Sequence, residues 1–252
     1  MEYNTTVNNN LIYTLLTEQK HQIRNGIYGY TQRELAYNSN KIEGSTLTKE
    51  HTASLFETGS IYTDTDEVYK AKDIEEMQGH FAMFNAMLNT LSEPLNEQVM
   101  KLFHKQLKQC VFEDIANGYN IGEYKARRNY VGDIDTATPD EVEQMMQELL
   151  SWYHNADKNL ETLALFHARY EKIHPFQDGN GRTGRLILFR ECLKYAICPF
   201  VLQDEDRPVY LSAIRKAQTI EDMTSLVALM KKGQIRYLEK LDGCLMEAPK
   251  EG

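Results

Sequence analysis

The chain has 252 residues, room for one large domain or for a core with a helical extension. Its 42% hydrophobic and 26% charged residues are those of a soluble globular protein, and 37 acidic against 28 basic residues give a net charge of -9. A binder of the nucleic-acid backbone carries the opposite excess, and the densest basic cluster, Lys125, Arg127 and Arg128, reads as a solvated turn, so no nucleic-acid partner is expected. No apolar run approaches the roughly 20 residues of a membrane-spanning helix, and Met1 to Asn10 is polar rather than signal-like, so a cytoplasmic protein with no membrane partner is expected. Cys110, Cys192, Cys198 and Cys244 form no CxxC pair and have no zinc-finger spacing to histidine, which leaves free thiols.

Taken in chain order, the first readable element runs over 32–43. Thr31 with Glu34 three residues on has the form of a capping box, and Gly44 suits the left-handed position after Glu43. That helix sets Ser39 and Glu43 one turn apart on one face. Val68, Ala71, Ile74, Met77, Phe81, Phe84, Leu88 and Leu91 then recur at steps of three and four, predicting one long amphipathic helix that Ser92 to Pro94 ends. Leu95, Val99, Leu102, Phe103 and Leu107 make a second stripe. Between Gly122 and Thr136, Tyr124, Tyr130 and Val131 flank small polar residues as in a short hairpin. A third helix follows Pro139 through Val142, Met145, Met146, Leu149 and Tyr153, and others are expected around 157–174, 183–195, 207–218 and 221–242. The fold class read from this pattern is all-α with one small β-hairpin.

The stretch that carries chemistry is His174-Pro-Phe-Gln-Asp-Gly-Asn-Gly-Arg-Thr-Gly-Arg185. Leu160, Leu163, Phe166, Tyr170 and Ile173 lead into it as an apolar helical stripe, and Pro175 disfavours helical geometry in His174. Gly179 and Gly181 can take positive φ, and a new helix is expected near Thr183. A helix, a glycine turn and a second helix N-terminus make an anion nest, to which Arg182 and Arg185 add two guanidinium forks suited to phosphate. Asp178 is a hard oxygen ligand of the kind that Mg²⁺ takes together with substrate phosphates. His174 at the mouth of the nest has an ordinary pKa near neutrality and can accept a hydroxyl proton. Singly, each of these residues is more often structural; together they point to phosphoryl or nucleotidyl transfer. A Walker phosphate loop and a kinase signature are absent from the sequence.

The same stretch resembles the Fic (Fido) signature HxFx(D/E)GNGRxxR at every fixed position. The helices from about Leu95 to about Leu238 are also similar to that family, a helical fold whose members mostly transfer AMP from ATP to Ser, Thr or Tyr hydroxyls of proteins. The resemblance implies a helical region over 1–94, a Fic core domain over 95–240 and a tail over 241–252. It makes His174 the general base, Phe176 the structural anchor of the loop, and Asp178 the ligand of Mg²⁺, with Mn²⁺ as an alternative. Gly179, Asn180 and Gly181 would cradle the α- and β-phosphates, Arg182 and Arg185 would grip the β- and γ-phosphates, and Thr183 and Gly184 complete the nucleotide-binding loop. Gly122, Tyr124, Val131 and Gly132 resemble the flap that aligns target side chains, with Asn129 to Gly132, Val131 and Gly132 among them, bordering the nucleotide. Gln218 stands in the adenosine-pocket helix where many members have Asn.

Ser39-Asn-Lys-Ile-Glu43-Gly44 resembles the family's inhibitory motif (S/T)xxxE(G/N), in the class with an N-terminal inhibitory helix. The resemblance implies that Glu43 pairs with Arg185 and denies it to the γ-phosphate. Some relatives use this Glu to orient water and remove AMP, so the opposite direction is the main alternative. Gly181 argues against the phosphate-transferring branch, which has Lys there; the loop leaves phosphocholine transfer open. A catalytically silent nucleotide-binding regulator is the non-enzyme alternative, against which intact His174 and Asp178 stand. Relatives often dimerise, so a homodimer is an open expectation.

Overall fold

The computed structural model describes residues 2–62, 68–132 and 134–249; the side chain of Val131 lies outside the description. In chain order the elements are α1 (Thr5–Lys20), α2 (Ile27–Ile42), α3 (Lys49–Thr58), α4 (Ala71–Asn89), α5 (Glu97–Lys108), α6 (Phe112–Ala116), β1 (Tyr130–Val131), β2 (Ile134–Asp135), α7 (Pro139–Asn155), α8 (Leu160–Ile173), α9 (Asn180–Lys194), a 3-10 turn (Asp204–Asp206), α10 (Arg207–Ile220) and α11 (Thr224–Leu241). The two strands are antiparallel, pairing Tyr130 with Asp135 and Val131 with Ile134. The fold is therefore helical with one small hairpin.

Helix α9 organises the core. Every residue from Asn180 to Leu193 is buried, as in a helix packed on all sides. Leu186, Ile187, Phe189 and Leu193 belong to one apolar cluster that also takes in Leu11 and Leu15 of α1, Phe84 of α4, Phe103 of α5, Phe166 of α8 and Tyr237 of α11. The buried charges of α9 are paired rather than solvated. Arg190 pairs with Glu191 and donates to the carbonyls of Thr90 (2.7 Å) and Glu93 (2.5 Å), tying α9 to the turn after α4.

Several ends differ from the sequence expectation, each for a local reason. Helix α2 starts at Ile27 behind Gly26, not at a Thr31 cap; the Thr31 hydroxyl is buried inside the helix and shares a 2.7 Å hydrogen bond with the Tyr237 hydroxyl. Its C-terminus closes as expected: Gly44 has φ of 95°, with Gly44 N–H donating to Lys41 O and Ser45 N–H to Asn40 O, both at 3.0 Å. Val68 lies outside α4 and is 94% exposed. Helix α1 was hidden by its polar start, which Asn4 caps through Val7 N–H at 3.0 Å. Helix α3 was hidden because His51 takes the place of Glu or Gln in its capping box with Thr48. Lys125 is not in a solvated turn but 3% exposed, its ammonium spent on Asn129 Oδ1 (2.6 Å), Thr136 Oγ1 (3.1 Å) and Ile173 O (3.3 Å).

Gly79 lets α4 and α5 approach closely, since a Cβ there would stand 2.1 Å from the Leu107 carbonyl oxygen. Gly79→Ala must push the two helices apart. It is expected to destabilise the protein by about 1–3 kcal/mol, as overpacking does, read as a lower urea midpoint with an unchanged slope.

Candidate active site

The loop between α8 and α9 is built by side chains that face inward. Pro175 stops α8, and His174 takes up a left-handed conformation, φ 53° and ψ 61°, with its N–H on Tyr170 O at 2.9 Å. The carbonyl so capped compensates a conformation that costs an L-residue roughly 1–2 kcal/mol. Phe176 is fully buried and stacks on the His104 ring, centroids 4.0 Å apart and planes 2° from parallel. Asn180 clamps the loop at two points, accepting from Phe176 N–H and donating to Phe176 O, both at 2.8 Å. Asn129, at the base of the hairpin, donates to the same carbonyl at 2.8 Å.

His104 accepts from Gly122 N–H at Nδ1 (2.9 Å), which leaves Nε2–H to donate to Asp178 O (3.1 Å). Burial, with Lys108 nearby, holds its pKa down to about 3, so it is a neutral two-ended strut between the Gly122 turn and the loop.

Gly179 is the N-cap of α9 at φ 84°, and this is why the helix begins at Asn180 rather than near Thr183. By helix geometry the amides of Asn180, Gly181 and Arg182 have no carbonyl four residues back, and they gather at one point with the positive end of the dipole. Gly181 itself is helical and does not use positive φ. It is glycine for lack of space: a Cβ there would lie 2.2 Å from Glu43 Oε1. The carboxylate of Glu43 therefore sits against the start of α9. Thr183 and Gly184 are buried in its first turns, and a Cβ on Gly184 would crowd His167 at 3.0 Å and Glu171 Oε1 at 3.1 Å.

Both arginines of the loop are engaged by carboxylates. Arg185 donates from Nε to Ser39 Oγ (2.9 Å), and from one Nη to Ser39 O (2.9 Å) and Glu43 Oε1 (2.6 Å). Desolvation pushes the Glu43 carboxyl up, but the guanidiniums of Arg185 and Arg182 outweigh it and hold the group below the usual carboxylate range. Arg182 pairs with Glu76 of α4, and also reaches Asn40 Oδ1 and Asp178 Oδ1, each at 3.3 Å. Asp178 Oδ2 lies 2.7 Å from Lys108 Nζ and 3.5 Å from Lys72 Nζ. Burial opposes its ionisation, and Arg182 and Lys108 overcome that, so it stays ionised far below the ordinary range.

Among the described residues Glu76, Asp114 and Asp178 bring carboxylate oxygens within 4.8 Å of one another, a set able to hold a divalent cation. A cleft of about 330 Å³ opens here, lined by Asn40, Glu43, Lys72, Glu76, Asp178 and Arg182 among others.

His174 Nδ1 faces Glu171, 3.3 Å from its carbonyl and 3.7 Å from Oε2. Burial first, then the charge of Lys125, lowers its pKa to about 4 rather than near neutrality, so the imidazole is neutral at pH 7. Gln218 does not meet the loop in any hydrogen bond. It donates weakly to Ala168 O (3.4 Å), and Lys172 reaches its carbonyl at 3.5 Å. Gly132 is exposed at the hairpin tip at φ 60°, and the backbone of Val131 pairs with Ile134; Asn129 and Lys125 at the hairpin base make the contacts to the loop. Sequence reasoning missed Glu76, Lys108, Asp114, His104 and Asn40. Their type and spacing are ordinary for helix surfaces, and only the packing of α2, α4, α5 and α6 around the loop gives them a role.

Residues 94–191 match the Fic/DOC family. The whole chain is similar to the crystal structure of a Fic-domain-containing signalling protein of Bacteroides thetaiotaomicron, with TM-score 0.75 and 26% identity, covering 96% of this chain and 100% of that one. The chain carries a Fic-family domain. A protein adenylyltransferase Fic of Nematostella vectensis is 25% identical over 186 residues, 72% of this chain and 42% of that protein. A protein of the same name in Drosophila grimshawi is 28% identical over 185 residues, 72% of this chain and 37% of that protein. The chain thus spans about two-fifths of the length of these curated relatives. No helix among the described residues is long and apolar enough to cross a membrane.

The Fic loop and its surroundings keep four histidines neutral, His80, His104 and His167 with pKa near about 3 and His174 about 4, mainly through burial. Their folded pKa values lie below the unfolded one, so the unfolded chain binds more protons as pH falls through about 6.5. Glu171, raised by burial to about 8, acts in the opposite sense but is one group against four. Stability is expected to fall by a few kcal/mol, on the order of 1 per histidine, between pH 7 and 5.5, read from urea midpoints at each pH.

Proposed function

We propose that this protein transfers AMP from ATP to a Ser, Thr or Tyr hydroxyl of a protein, and that α2 holds the reaction in check. The observation that carries the reading is the occupation of Arg185 by Ser39 and Glu43 at the N-terminus of α9, where the Glu43 carboxylate lies against Gly181. A carboxylate in that place competes with a phosphate for both the guanidinium and the helix N-terminus. The adenylyltransferase names of the relatives and their similarity over 72% of the chain support the same reading.

In the proposed chemistry Nδ1–H of His174 points to the Glu171 carbonyl, so Nε2 carries the free lone pair. The target hydroxyl oxygen attacks the α-phosphorus and gives its proton to that nitrogen; the bond to the bridging oxygen breaks and pyrophosphate leaves. Amides of Asn180 and Gly181, with Arg182 and a released Arg185, hold the triphosphate. Asp178 fits as the protein ligand of Mg²⁺ because its carboxylate is ionised and 36% exposed beside the cleft; Mg²⁺ when bound supplies charge neutralisation to the phosphates. Val131, Gly132 and Gln218 remain assigned by resemblance to flap and adenosine pocket. Removal of AMP by water is the second reading. It is favoured by the 39% exposure of the Glu43 side chain, which faces the cleft and is thereby placed to orient a solvent molecule.

Glu43→Gly is expected to raise self-labelling from ATP by about 10- to 100-fold, the worth of a charge-assisted hydrogen bond of about 1.5–3 kcal/mol, with His174→Ala abolishing it. Mass spectrometry for the AMP adduct checks both, and release of AMP from an adenylylated target by the unaltered protein, lost in Glu43→Gly, would favour the hydrolytic direction. Because His174 is held neutral down to about 4, kcat/KM of the Glu43→Gly enzyme should stay level from pH 7, below the raised pKa of the neighbouring Glu171, to pH 6 and fall only below about 5.

A further inference from the structure

We infer that Lys108 is the resident cation of the Asp178 carboxylate, a positioning residue that makes uptake of a divalent metal conditional on nucleotide. The inference rests on the nucleotide-site reading above. Lys108 ends α5 with its side chain 2% exposed. Its ammonium lies 2.7 Å from Asp178 Oδ2 and 2.5 Å from Asp114 Oδ2, and also pairs with Glu76. These are the three carboxylates whose oxygens gather within 4.8 Å, so one buried ammonium sits among the ligands that would otherwise converge on a metal.

Each carboxylate of the set already has a cation on it. Glu76, Asp114 and Asp178 face Lys108, Arg182, and Lys72 at 3.5 Å from both Asp114 and Asp178, and Lys72 also pairs with the exposed Glu113 at 3.1 Å. A hydrated divalent cation arriving alone meets carboxylates that are already paired, and to use the full acidic set it must displace a desolvated ammonium held by three carboxylates. A triphosphate changes the count. It brings its own negative charge, and Mg²⁺ needs only one or two carboxylates beside phosphate oxygens and water. Asp178 Oδ1, which accepts from Gly179 N–H at 2.7 Å and lies 3.3 Å from Arg182, then suffices with its remaining lone pair while Lys108 keeps Oδ2 in place. Arg182 is steadied by the same network, because Glu76 bridges it to Lys108. Without Lys108, three carboxylates face only Arg182 and Lys72, an excess of negative charge at metal-ligand spacing.

The test is Mn²⁺ binding, followed as the loss of the electron paramagnetic resonance signal of free Mn²⁺ beyond that caused by the analogue without protein, in the Glu43→Gly protein with and without a non-hydrolysable ATP analogue. The parent is expected to take up Mn²⁺ only with the analogue. Adding Lys108→Met should give uptake of one Mn²⁺ without nucleotide, at least tenfold tighter than the parent under the same conditions, while Lys108→Arg should behave as the parent. Nucleotide-independent uptake by the parent as tight as that with the analogue overturns the inference, and this arm decides even if Lys108→Met does not fold. A folded Lys108→Met protein with no gain overturns it too. Absence of uptake by the parent with the analogue would instead overturn the nucleotide site itself.

Discussion

A guanidinium removed from water needs an anion beside it, and this molecule buries two of them at the start of its central helix. Arg182 and Arg185 are 3% and 6% exposed. Leaving either unpaired would cost several kcal/mol. The partners come from far along the chain: Glu76 on α4 for Arg182, and Glu43 at the end of α2 for Arg185. The N-terminal helices are therefore joined to the loop by charge as well as by the shared apolar cluster. The two pairs differ in one respect that matters. The Glu76 side chain is 9% exposed and also holds Lys108, whereas Glu43 is 39% exposed beside the cleft. Glu43 is the partner that another anion can replace without opening the core.

The rest of the site is rigid by construction. Phe176 is stacked on His104, Asn180 closes the loop on itself, and Asn129 and Lys125 bind the hairpin base to the same backbone. Donors fixed in this way need no rearrangement to meet charge on a phosphate, the condition under which electrostatic stabilisation is effective. Burial that keeps His104 and His174 neutral belongs to the same design: one uses both ring nitrogens as a strut, and the other keeps a free lone pair. Gly181 shows how tightly the Glu43-occupied arrangement is specified, since any side chain there would collide with Glu43.

Much of this was legible in the letters. The apolar steps of three and four located α4, α5 and α7 to α11, and the composite of His174, Asp178, two glycines and two arginines marked an anion site before any coordinates. Gly44 was readable as a helix end because a left-handed residue there is a local requirement. Thr31 misled because its hydroxyl answers Tyr237, 206 positions away, rather than its own helix.

Neighbours a few residues apart are enough to fix helix periodicity, the stop at Pro175, the glycine turn, and the placing of Ser39 and Glu43 on one face. Tertiary structure alone decided the charge partners that no motif names. Lys108 reaches Asp178 across 70 positions with no signal in the sequence, whereas the pair of Arg185 with Glu43, across 142, was expected only through the resemblance of the 39–44 motif. Ion pairs at such separations leave no periodic trace, because their partners are chosen by how helices pack and by the cost of burying either charge alone.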